Sequence, residues 1–76
     1  MKELVTFIAK SLVENPERVE VSEVQGDITT IIELKVAQED MGKIIGKQGK
    51  TARSIRTLLN ATAAKVKKKT VLEILE

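Results

Sequence analysis

Helical periodicity runs through Met41, Ile44 and Ile45, breaks at Gly46-Lys47-Gln48-Gly49, and resumes at Ala52, Ile55 and Leu59. Two glycines three positions apart, set between two apolar helical patterns, force a short helix to end in a tight turn and a second helix to start at once. Gly46 stops the first helix, and the pair lets the main chain turn sharply and meet a ligand with no Cβ in the way. The helix that follows opens with unsatisfied N–H groups suited to an anion. Lys43, Lys47, Lys50 and Arg53 surround that turn, so the segment reads as a clamp for backbone phosphates.

Charge along the chain supports a polyanion as the ligand. Residues 42 to 69 hold nine Lys or Arg and no acid, whereas the remainder sets four cations against eleven acids, so the net charge of +2 conceals a dipolar molecule. A face that only confers solubility intersperses both signs. At 76 residues the chain has room for one domain, residues 1 to 76, with one modest core. Without cysteine or histidine it has no thiolate or imidazole chemistry, and no metal or cofactor is expected. The opening Met-Lys-Glu-Leu begins an amphipathic pattern, not a signal peptide's apolar run, and no stretch approaches transmembrane length; a cytoplasmic location away from membranes is the expectation.

The rest of the chain supplies a scaffold. Met1, Leu4, Val5, Ile8 and Leu12 share one face of a helix over 2–14, and Asn15-Pro16 ends it. Val19 and Val21 alternate with charged residues as a strand, Gln25-Gly26-Asp27 supplies a hairpin turn, and 28–36 forms a second, antiparallel strand with Ile32, Leu34 and Val36 on one face. Gln38-Glu39-Asp40 places acids at the start of the short helix, where they favour its dipole, and Met41, Ile44 and Ile45 point inward. From Lys50 a long helix buries Ala52, Ile55, Leu59, Thr62, Ala63 and Val66 and presents Lys50, Arg53, Ser54 and Thr57 on the other side. Lys67 to Lys69 form a basic turn before a last strand over 70–74 with Leu72 and Ile74 inward. The order is αββααβ, an α+β fold.

The segment from Ile44 to Ile55, with I-G-x-x-G at Ile45 to Gly49 and an isoleucine six residues after the second glycine, resembles the signature of the KH domain. With two strands and a helix before the motif and one strand after it, the order resembles the type II KH fold, a three-stranded sheet with three helices packed on one face. The chain is similar over nearly its whole length to small bacterial single-KH RNA-binding proteins of the KhpA (YlqC) family, although it lacks the glycine that relatives often carry between the second motif helix and the last strand. The resemblance implies a non-enzymatic RNA chaperone or post-transcriptional regulator that grips single-stranded RNA by its backbone. Carried onto this chain, Gly46 and Gly49 permit close approach, Lys47 and Gln48 meet phosphates, Lys50 and Arg53 extend the contact, Lys43 lies near, and Ile45 or Ile44 contributes to a groove floor, at least one of them being ordinary core. It also implies a homodimer and pairing with a larger KH-containing protein of the Jag (KhpB) type.

Two enzymatic readings fail on residues. Gly49-Lys50-Thr51 matches the end of a nucleotide-phosphate loop, but that motif's first glycine would stand at Ile44, and no parallel α/β scaffold with a distal metal-binding aspartate is present. Glu39 and Asp40 adjoin in sequence and diverge on a helix, unlike a catalytic carboxylate pair. A protein-interaction module acting mainly through self-association is the competing class, because Phe7 and Val13 fall off the first helix's main apolar stripe and Leu58 and Ala61 lie beside the core stripe of the long helix.

Overall fold

The computed structural model describes residues 1–75. Helix α1 (Lys2–Leu12) leads through a 3₁₀ turn (Pro16–Arg18) into strands β1 (Glu20–Gln25) and β2 (Thr29–Lys35). A second 3₁₀ turn (Gln38–Asp40) runs into α2 (Met41–Ile45), the turn Lys47–Gly49 joins it to α3 (Lys50–Ala64), and β3 (Lys69–Leu75) closes the αββααβ order. It is an α+β fold of type II KH order.

Strand β2 is central. It pairs antiparallel with β1, Val21 opposite Leu34, and parallel with β3, Ile32 opposite Leu72. A hairpin joins the first pair, but parallel strands need a crossover, and α2, the glycine turn and α3 supply it. The turn is therefore held between α3, which packs on β3, and α2, which packs on α3 and sends Ile44 into the core.

The sheet is half-buried in the alternating way its sequence dictates: Thr30, Ile32 and Leu34 of β2 and Thr70 and Leu72 of β3 point into the core. Against them lie Val5 and Ala9 of α1, Ile44 of α2, and Ala52, Ile55, Leu59 and Ala63 of α3. Ala9, Thr30 and Thr70 carry too little hydrophobic character to be singled out from sequence, yet each is buried at its register position.

Several expected positions differ. Helix α1 ends at Leu12, two residues early, and Leu12 is exposed, because Val13 turns to extended geometry (φ −95°, ψ 161°) while its amide still donates to Ala9 O at 3.2 Å. That exit brings the Val13 side chain onto the core instead of leaving it off the apolar face. Thr62 and Val66 are exposed, Val66 at 63%: Thr62 is rotated by about 100° from the buried Ala63, and Val66 lies beyond the helix end at Ala64. Lys67 takes the position where the missing glycine would stand: its φ is 58°, its amide donates to Ala64 O at 3.1 Å, and Lys68 N donates to Ala63 O at 3.0 Å. Those two bonds are the Schellman pattern of helix termination, built here on a lysine.

Candidate nucleic-acid interface

The glycine turn is built on three positive-φ residues, Gly46 and the adjacent pair Gln48 and Gly49. Gly46 closes α2, its amide donating to Gly42 O at 2.8 Å, and adopts φ 75°, ψ 173°, a region essentially restricted to glycine. Gln48 (φ 57°) and Gly49 (φ 75°) then follow in the left-handed helical region, and Gly49 N donates to Gly46 O at 3.1 Å. The two glycines are required for different reasons. A Cβ on Gly46 would lie 2.6 Å from Thr51 Cβ and 2.9 Å from Thr51 N, whereas one on Gly49 would meet nothing within 4 Å. Gly46 is packed against the next helix; Gly49 faces open space.

Helix α3 opens at Lys50 with no side chain capping it, although the Lys50 amide itself donates back to Lys47 O within the turn. Lys43, Lys47, Gln48, Lys50 and Arg53 are all exposed around that opening. The pair of isoleucines before it divides: Ile44 is fully buried, while Ile45 turns outward at 39% exposure, so the inward placement expected for Ile45 is corrected and its place beside the turn is apolar surface. In a five-residue helix one position beyond the buried Ile44 is rotated by about 100° and cannot share its face. Arg53 continues onto a shallow, mostly apolar groove of about 430 Å³ lined with Ser54, Thr57, Leu58 and Ala61. Arg56 points elsewhere, its Nη2 donating to Leu72 O of β3 at 3.4 Å.

Asp40 does not serve as the simple dipole partner of α2 expected from its position. Its side chain is completely buried, and its carboxylate accepts from Glu14 N (3.1 Å), Asn15 N (3.1 Å) and Asn15 Nδ2 (3.0 Å). Burial alone would raise its pKa, but the Asn15 side chain and the two amides, with Lys43 nearby, outweigh that and hold it below the ordinary carboxylate value. The end of α1 is thus fastened to the start of α2. Lys43 Nζ spans the same junction to Glu14 Oε1 at 3.6 Å. A five-residue helix has little macrodipole, so an aspartate at its start needed another partner; that was the one sequence signal for this tie.

The model of the KH domain of KhpA/KhpB proteins matches residues 2–74, including both glycines and every strand but the last residue of β3. This chain belongs to the KhpA/KhpB family of KH domains. It is 60% identical over 75 residues to the RNA-binding protein KhpA of Caldanaerobacter subterraneus subsp. tengcongensis, covering 99% of this chain and 100% of that one. The RNA-binding protein KhpA of Clostridium perfringens is likewise 60% identical over the same extents, and that of Aquifex aeolicus is 49% identical over all of this chain and 96% of its own. No solved structure gives a significant match. Among the described residues no helix is long and apolar enough to cross a membrane, and no cluster of acids is arranged to hold a metal ion.

Proposed function

We propose that this KhpA/KhpB family protein is a non-enzymatic RNA-binding protein that clasps the backbone of single-stranded RNA at Gly46-Lys47-Gln48-Gly49. The observation that carries the reading is the contrast between the two glycines: Gly46 is held by Thr51, while Gly49 leaves an open approach beside the uncapped start of α3. Backbone amides and the exposed Lys43, Lys47, Lys50 and Arg53 serve phosphates, Gln48 donates from the tip of the turn, and Ile45 offers an apolar surface to a base. Relatives at 49% to 60% identity bear the name RNA-binding protein, which supports RNA as the nucleic acid. With no tyrosine or tryptophan there is no stacking platform of the usual kind, so binding depends mainly on phosphates and falls steeply with salt.

The test is Lys47→Asp with Gln48→Asp. The expected outcome is loss of RNA retention with thermal unfolding unchanged, since both side chains are exposed. Retention at an unaltered salt slope would overturn the assignment.

A second reading accompanies the first. The groove beside Leu58, itself 46% exposed, is an apolar surface on α3 suited to a second copy or to the larger KH-containing partner of the Jag (KhpB) type, and pairing two weak clamps raises affinity through effective concentration. Sedimentation of the protein and of Leu58→Asp separates the cases: a dimer that becomes a monomer supports it, and a monomer in both contradicts it.

A further inference from the structure

The glycine turn uses only one end of the acid-free span. At the other end of α3 stand Lys65, Lys67, Lys68 and Lys69, of which Lys65, Lys67 and Lys69 are exposed, and none of the four makes an ion pair among the described residues. Asp27, in the hairpin turn beside Ile28, is the acid that the topology brings nearest, since Lys69 N donates to Ile28 O at 2.9 Å; it too makes no ion pair there.

Helix stability does not account for this cluster. A cation is favourable near a helix C-terminus, but that benefit decays within the last turn, and Lys67 to Lys69 follow the helix. Adjacent like charges repel. Lys67 also occupies the left-handed position (φ 58°) that terminates α3, where a Cβ is disfavoured and glycine is preferred. Lys67 holds that strained position with its side chain exposed to solvent. Lys65 lies on the outward face of α3 with Lys50 and Ala61, opposite the buried Ile55, Leu59 and Ala63.

We infer that the Lys65–Lys69 turn is a second phosphate-binding site, and that it extends the RNA footprint beyond the glycine clamp to the far end of α3. The proposal rests on the RNA-clamp reading. Helix α3 has 15 residues, so the two sites are about 22 Å apart at about 1.5 Å per residue. A stacked strand places phosphates about 3.4 Å apart along its axis, so about six or seven nucleotides separate the two contacts. A clamp gripping about four nucleotides does not reach that far on a stacked strand. Short RNA therefore uses the clamp alone, and longer RNA uses both.

The test compares uridine oligonucleotides of about four and about twelve residues on the whole protein and on a variant carrying Lys65→Gln, Lys67→Gly and Lys69→Gln. Glycine at 67 removes the charge while relieving the turn, so unfolding is not the outcome, and a thermal melt checks it. The expected result is unchanged affinity for the short RNA, about tenfold weaker binding of the long one at low salt, and a long-RNA salt slope reduced by about two. An unchanged slope for the long RNA, or an equal loss on both lengths, would overturn the second site. The Lys47→Asp, Gln48→Asp protein tests the clamp in parallel: short-RNA binding that survives there refutes the clamp, whereas the length dependence in the lysine variant judges the distal site.

Discussion

At position 46 an alanine would carry its Cβ into Thr51 in a backbone region that only glycine adopts, whereas at position 49 it would meet only the left-handed φ. Gly46→Ala is therefore expected to cost at least about 2 kcal/mol of stability, and Gly49→Ala about 1–2 kcal/mol. Urea unfolding measures both. If Gly49 provides the approach to phosphate, its alanine variant also loses RNA affinity out of proportion to its stability loss; equal effects at the two positions would contradict the division of labour. Lys67→Gly runs the other way. Removing a Cβ at φ 58° is expected to stabilise by about 0.5–1 kcal/mol, after the added freedom of glycine in the unfolded chain is counted, and the same melts report it. The sequence signalled that glycine was missing there but not how the helix would end, because the strain is borne by two backbone bonds that no side-chain pattern records.

Among the elements, the contact between α1 and α2 was the least legible. Apolar spacing located every helix and strand to within a few residues, because a face buried against a sheet must repeat at 3.6 or 2 positions. It could not reveal that Asp40 reaches back 26 and 25 residues to the amides of Glu14 and Asn15, since a polar tie between two helix ends has no period. The consequence is a pH dependence of defined sign. Because the folded pKa of Asp40 is depressed, its contribution is fully present above the ordinary carboxylate value of 3.8 and is lost as pH falls through the lower, folded value. Asp40→Asn leaves an amide facing N–H donors, so Tm should drop by at least about 4 °C at neutral pH. That gap should narrow as pH falls below 3.8; a gap independent of pH would mean the carboxylate charge is irrelevant. The Lys43–Glu14 pair at the same junction is exposed and worth little to folding. Its effect belongs to the site: Glu14→Gln releases Lys43 to phosphate and should raise RNA affinity about twofold at low salt, read by fluorescence anisotropy.

Across the whole molecule, charge and topology agree. The parallel strands are joined through a helical crossover, and this chain places all nine cations of residues 42 to 69 on or beside it, with no acid between Asp40 at its start and Glu73 in β3. That division is readable from the sequence because it is a property of one contiguous span. The assignment of Ile44 to the core and Ile45 to the surface was not, since both are apolar neighbours and only the packing of α2 against α3 decides between them. On the proposed clamp, RNA enters at the glycine turn and not at the open face of the sheet. Titration of isotope-labelled protein with a short single-stranded RNA, followed by amide chemical shifts, tests this directly. The prediction is that Gly46 to Arg53 shift first and furthest, with Lys43 and Ile45 following. Shifts concentrated instead on Ser22, Glu33 and Glu73 of the open sheet face would contradict it.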